Sequence, residues 1–170
     1  EPLGGRGQPL TVQVRSMEVE PLWAQYSAFV QGGVARWTLV GTSVDACGVR
    51  AGSDLSVALQ WLESSPTSDQ ETVFVHIVSP DGALVAEADS PPNRGNNATN
   101  AVPTGDRILD VHTIDLASSL LPGSYRILVG LYNPHTGERL KLVGGADSAN
   151  AGTVQVGAPG EGPDRTACEW

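Results

Sequence analysis

The run Val73-Phe74-Val75-His76-Ile77-Val78, followed by Ser79-Pro80-Asp81-Gly82 and then by Ala83-Leu84-Val85-Ala86-Glu87, decides the fold class. Two apolar, β-branched segments flank a Pro-Asp-Gly turn signal, which reads as a β-hairpin. A second hairpin is expected where Tyr125-Arg126-Ile127-Leu128-Val129-Gly130-Leu131-Tyr132 reaches Asn133-Pro134-His135-Thr136-Gly137 and returns through Arg139-Leu140-Lys141-Leu142. The cleanest period-two pattern is Leu55-Ser56-Val57-Ala58-Leu59-Gln60-Trp61. It puts Leu55, Val57, Leu59 and Trp61 on one face, the face expected in the core.

Outward from these runs, Thr11–Val19, Trp37–Val44, Arg107–Leu116 and Thr153–Val156 read as further strands. Leu22–Val30 carries Trp23, Tyr26 and Phe29 at three-residue spacing, which fits a short helical turn or an irregular aromatic strand. Between Asp89 and Asp106 runs a long polar connection with three prolines and four asparagines. Short strands, turn signals between them and almost no helical period predict an all-β fold. The expected architecture is a two-sheet antiparallel β-sandwich, immunoglobulin-like or jelly-roll-like. Residues 1–10 read as a flexible lead-in, 11–156 as the single sandwich domain, and 157–170 as a Gly/Pro-rich tail.

A chain of 170 residues is long enough to bury one sizeable core. Its net charge of −9 and pI near 4.6 argue against nucleic acid and anionic membrane surfaces, which need clustered cations. Lys141 is the sole lysine, and the arginines form no cluster. No apolar run reaches the roughly 20 residues of a membrane helix. The chain starts at Glu1 without a signal-like segment and so reads as a processed or excised piece. Cys47 and Cys168 are either two separate buried thiols or a bridge that tethers the tail. A bridge closing so long a loop contributes about 4–5 kcal/mol at most and implies an oxidising compartment. The bridge is the favoured expectation, because the tail has little else to hold it. Two cysteines without CxxC spacing make neither a zinc site nor a redox motif.

Taken in order, Leu59-x-Trp61, Phe74-Val75-His76, Pro80-Asp81-Gly82, Asp89-Ser90-Pro91-Pro92, Asp110-x-His112, Pro122-Gly123-x-Tyr125, Val129-Gly130-Leu131-Tyr132 and Gly137-Glu138-Arg139-Leu140 carry a family resemblance. Over roughly Trp37 to Val156 the chain resembles a bacterial extracytoplasmic β-sandwich module. Such modules are appended to polytopic membrane proteins of the dolichyl-phosphate-mannosyltransferase-like type and occur in other surface proteins. Ala101-Val102-Pro103 stands where modules of this type carry a tryptophan, so that aromatic's role is not carried over. The resemblance implies fold and an extracytoplasmic location; it brings no catalytic activity and no cofactor.

The sharpest candidate constellation is His76, Asp110 and His112, with Asp89 close in motif order. Asp110 and His112 are two apart and in phase with Ile108 and Ile114. They form either a buried hydrogen-bonded network or, with His76, a metal or acid–base site. No HExxH and no Gly-x-Ser-x-Gly occurs, and His135 sits in a turn. Glycosidase-like carboxylate pairs, Asp110 with Asp115 or Glu87 with Asp89, are the remaining enzymatic option. The Asp89–Asp106 connection, with Asn93 and Asn96, offers oxygen ligands to calcium or simply makes local Asx turns. Asn97-Ala98-Thr99 is formally a glycosylation acceptor.

Trp23, Trp37, Trp61 and Trp170, with Tyr26 and Tyr132, are the aromatics that could stack on sugar rings; Trp37 and Trp61 fall in the core phase, leaving Trp23, Tyr26 and Trp170 as the exposed candidates. The leading expectation is a non-catalytic extracytoplasmic module with a structural or interaction role at the cell surface and no cofactor. Its partner would be a surface glycan or another surface protein. The alternatives are a carbohydrate-binding module using those aromatics with Asp89, Asn93 and Asn96, and a polymer subunit whose Glu1–Leu10 segment adds a strand to a neighbour's sheet edge.

Overall fold

The computed structural model describes residues 27–46 and 48–159. Nine strands follow in chain order: β1 (Ser27–Gln31), β2 (Val34–Asp45), β3 (Asp54–Glu63), β4 (Thr72–Val78), β5 (Leu84–Ser90), β6 (Arg107–Asp115), β7 (Gly123–Tyr132), β8 (Lys141–Leu142) and β9 (Ala149–Val156). They build a five-stranded sheet in the order β6-β3-β2-β1-β8 and a four-stranded sheet in the order β5-β4-β7-β9. Every pairing between these strands is antiparallel. The expected two-sheet sandwich is the fold. No helix among the described residues is long and apolar enough to cross a membrane.

Period-two burial decides which face of each strand is inside. Leu55, Val57, Leu59 and Trp61 of β3 are all fully buried, as their alternation predicted. They meet Val73, Val75 and Ile77 of β4 and Tyr125, Ile127, Val129 and Leu131 of β7 across the sandwich in one apolar cluster. The ring of Phe29 meets Trp61 edge-on at 5.7 Å between centroids, so the aromatic segment ending at Val30 continues as strand from Ser27 onward. Tyr125 donates its hydroxyl to the Leu121 carbonyl at 2.7 Å. This ties the start of β7 to the preceding turn, as the tyrosine corner does in immunoglobulin-like sandwiches.

The first hairpin forms as read. β4 and β5 pair around the Ser79–Ala83 turn, where Gly82 takes a positive φ of 89°. The second hairpin does not extend as expected. Its ladder holds at Tyr132↔Arg139, flanked by the Asn133 amide on the Glu138 carbonyl and the Leu140 amide on the Leu131 carbonyl, after which β8 leaves to pair with β1 in the other sheet. From Val129 to Gly123 that edge of β7 is taken by β9, which begins at Ala149 rather than at Thr153.

The long polar connection is docked rather than merely solvated. It turns through two short 3-10 segments, Pro92–Gly95 and Thr99–Ala101, and closes the side of the sandwich where β5 and β6 approach. Thr99 is fully buried; its hydroxyl accepts the Glu71 amide at 2.7 Å and donates to the Asp69 carbonyl. Thr11–Val19, the lead-in, Cys47, Cys168 and residues 160–170 of the tail lie outside the described residues.

Candidate functional site

Among the described residues, chemistry-bearing side chains gather in three places: inside the sandwich, at one end of it, and on the outer face of the four-stranded sheet. Inside, β6 alternates without a break. Ile108, Asp110, His112 and Ile114 point inward and Leu109, Val111 and Asp115 point out. Asp110 is 0% and His112 3% exposed. His112 Nε2–H is accepted by Asp110 Oδ2 at 2.8 Å, and Asp110 Oδ1 accepts the Asn93 amide at 2.8 Å. The carboxylate is thus satisfied on both oxygens, which is what a buried structural network requires. Asn93 and Arg94 adopt positive φ angles of 52° and 54° to deliver that amide.

This arrangement corrects two expectations. His76 does not join Asp110 and His112: it belongs to β4 in the other sheet and points outward, while they face the interior. Asp110 and Asp115 do not pair either, because they lie on opposite faces of β6.

At the end of the sandwich, two glutamates are buried beside Trp37. Glu63 faces Trp37 in register and is 1% exposed, with Oε2 lacking a partner. Burial, and then the neighbouring Asp106, push its carboxyl above the ordinary range. Glu71 accepts Trp37 Nε1–H at 2.8 Å and the Thr67 hydroxyl at 3.3 Å. Burial still raises it, with Asp69 adding to the rise and Trp37, Thr67 and Arg36 opposing.

A carboxyl raised in the folded state holds its proton there longer than in the unfolded chain. Its stabilising contribution is therefore lost as pH climbs from about 4.5 through the folded value. Glu63→Gln is accordingly expected to gain stability over the parent as pH rises from 4.5 to 8, read as urea midpoints across that range. An advantage that shrinks with pH would contradict the burial assigned to this carboxyl.

On the outer face of the four-stranded sheet, Phe74 and His76 of β4, Glu87 and Asp89 of β5, and Gly130 and Tyr132 of β7 form one patch, overlaid by Arg139. Phe74 lies opposite Gly130, and the Arg139 guanidinium sits 4.3 Å above its ring centroid. The His76 ring lies tilted against Phe74 at 4.6 Å between centroids, and the Tyr132 ring lies 6.4 Å from it. Arg139 also reaches Asp147 at 3.4 Å. His76 Nε2 lies 3.6 Å from Glu87 Oε2 and 3.7 Å from Asp89 Oδ1. Burial lowers the His76 pKa, with Arg139 adding to the fall and Asp89, Glu87 and Asp147 opposing it. Burial raises Asp89, where Glu87 also raises and His76, Tyr132 and Arg139 lower.

Phe74 is flat against the sheet because nothing projects from Gly130. A Cβ there would stand 2.5 Å from Phe74 Cζ and 3.0 Å from the Asp147 carbonyl oxygen. Gly130→Ala is therefore expected to destabilise by about 1–3 kcal/mol through overpacking, measured by chemical denaturation. A neutral result would show that the ring does not occupy that space.

Asn93 and Asn96 form local turns: Asn93 Nδ2 donates to Asn97 Oδ1 and Asn96 Nδ2 to the Asn93 carbonyl. His135 is exposed, its amide bonded to Asn133 Oδ1. Trp37 and Trp61 are core residues, as their phase predicted. The stacking candidates Trp23, Tyr26 and Trp170 lie outside the described residues. Tyr132 is a stacking candidate from the sequence, but its grouping with Phe74 and Arg139 on the outer face is not legible there; the signal was Gly130, an unexplained glycine in an apolar strand.

No protein-family model matches the sequence, and no curated protein matches it. Solved structures do. A β-glucuronidase from glycoside hydrolase family 2 is similar over 55% of this chain at 20% identity and TM-score 0.43, and the chain spans only 10% of that enzyme's length. A Niemann-Pick type C2 protein from the Japanese carpenter ant matches over 76% of this chain and 98% of its own, at 10% identity and TM-score 0.48. The C-terminal domain of wzt is similar over 78% of each chain, at 15% identity and TM-score 0.54. At that identity, the likeness to the wzt domain shows a shared β-sandwich fold.

Proposed function

We propose that this chain is a non-catalytic module of the extracytoplasmic cell surface that works by recognition. It presents the outer face of the four-stranded sheet to a surface glycan or to another surface protein. One observation carries the reading: Asp110 and His112 are sealed inside the sandwich and bonded to each other, whereas the outer face gathers His76, Glu87, Asp89, Tyr132 and Arg139 around the buried Phe74 ring, with Glu87 and Arg139 open to solvent. A reaction centre needs a cleft that isolates substrate from water. Glu87 and Asp89 lie two apart on one strand of an open face, a geometry that does not flank a scissile bond.

The glycan branch is supported by the make-up of the patch. The partly exposed ring of Tyr132 suits the apolar face of a pyranose, and Arg139, Glu87 and Asp89 supply donors and acceptors for its hydroxyls. A glycan array probed with the parent chain, Tyr132→Ala and Arg139→Ala tests it. Binding to a restricted set of sugars, lost in both variants, is the expected outcome. Silence across the array discards the glycan branch and leaves a protein partner. Turnover of chromogenic glycosides or esters that vanishes in His76→Ala or Glu87→Gln would overturn the non-catalytic reading.

A further inference from the structure

The β4–β5 hairpin brings three metal-ligating side chain types to one spot. His76 and Glu87 are directly opposite across the ladder, and Asp89 lies two residues along on the same face, opposite Phe74. One ligand atom from each falls within 4.8 Å of the others. The separations from His76 Nε2, 3.6 and 3.7 Å, exceed hydrogen-bonding length. They approach the ~3.3 Å that separates neighbouring ligands around a tetrahedral ion with bonds near 2.0–2.1 Å. The three groups converge without bonding one another, which is the spacing an ion closes.

We propose that His76, Glu87 and Asp89 hold one divalent transition cation of the zinc class on the outer face of the four-stranded sheet. One imidazole with two carboxylates suits such a cation, whereas calcium and magnesium take more numerous oxygen ligands. Three protein ligands leave a coordination position open to water or to a ligand oxygen.

The surroundings preorganise the set. His76 is held by its tilted ring contact with Phe74, itself seated over Gly130 and under Arg139. Tyr132 interacts with Asp89, the outer-shell support that fixes a ligating carboxylate. The charged groups facing His76 are Glu87, Asp89, Asp147 and Arg139. Lys141, 4.0 Å from Asp147, is the next cation out. Three carboxylates against these two cations leave a negative field. The site stands independently of the recognition reading, since it requires no partner.

The test is titration of Co²⁺, then Zn²⁺, into the full chain, followed by visible absorption and calorimetry. One equivalent should bind, with no thiolate charge-transfer band that would betray Cys47 or Cys168. His76→Ala, Glu87→Gln and Asp89→Asn should each weaken binding at least about tenfold. His135→Ala, in a solvated turn, should leave it unchanged. Glu87 is more than half exposed, so its variant keeps the fold and reads affinity alone. Absence of saturable binding, a stoichiometric ion that survives His76→Ala, a thiolate band, or preference for Ca²⁺ over Zn²⁺ would each overturn the proposal.

Discussion

Asp110→Ala is expected to cost the domain about 2–4 kcal/mol, because it leaves the buried His112 ring without its partner and removes the acceptor of the Asn93 amide. The side chain is fully buried and divides its two oxygens between the His112 ring and the Asn93 amide, each at 2.8 Å. Truncation strands the buried His112 ring without its partner and takes away the acceptor of the part-buried Asn93 amide. An unpartnered buried polar group costs about 1–3 kcal/mol in its own right. The loss also frees the Pro92–Gly95 turn, because the Asn93 amide is what fastens that turn to β6. Asp110→Ala and His112→Ala should therefore be strongly non-additive, the double variant costing much less than the sum. Asp110→Leu with His112→Leu should recover part of the loss by restoring apolar volume. Chemical denaturation of the four variants measures this. Additive single losses, or an Asp110→Ala variant within 1 kcal/mol of the parent, would show that the pair does not share one network.

How far the sequence reveals this architecture depends on whether a residue's environment is local. β3 and β6 are legible because alternation alone assigns their faces, and a one-residue slip would bury Gln60 or expose Trp61. The hairpin of β7 with β8 is half legible. Asn133 to Gly137 encodes a reversal, which forms, but nothing local says that β9 will claim the edge of β7 from Val129 onward. The Asp89–Asp106 connection reads as solvated for the same reason: its anchors, Thr99 under Glu71 and the Asn93 amide on Asp110, are made with residues distant in the chain.

The candidate sites divide likewise. The inward phase of Asp110 and His112 follows from Ile108 and Ile114, two residues to either side. The grouping of His76 with them does not, because motif order carries no information about which sheet a strand joins. Even the register of the first hairpin resists a simple count. Pairing outward from Ser79 opposite Ala83 sets His76 against Ala86, but an irregularity between Ile77 and Val78 moves it to Glu87. That single-residue shift is what brings Glu87 and Asp89 to the imidazole.

Trp37→Ala is expected to have the second large effect, about 3–5 kcal/mol, as for other deletions of a buried tryptophan. Trp37 is 1% exposed and sits where the apolar cluster meets the two buried glutamates. Its ring fills the core, and its indole N–H is a hydrogen-bond donor to Glu71, whose carboxyl is otherwise held by Thr67 at the longer distance of 3.3 Å. The two roles separate experimentally. Trp37→Phe keeps most of the ring and deletes the donor, so it should cost about 1–3 kcal/mol. Glu71→Gln preserves an acceptor for the indole while removing the ionisable carboxyl. It should be tolerated, and it should shrink the penalty of Trp37→Phe, because a neutral amide deprived of its donor is cheaper to bury than a carboxylate. For a domain whose total stability is of order 5–15 kcal/mol, the alanine variant should melt well below the parent, by about 2–4 °C for each kcal/mol lost. If Trp37→Phe proved as damaging as Trp37→Ala, the hydrogen bond rather than the packing would be what closes this end of the sandwich. If neither mattered, the Glu63–Trp37–Glu71 cluster would not be buried as described.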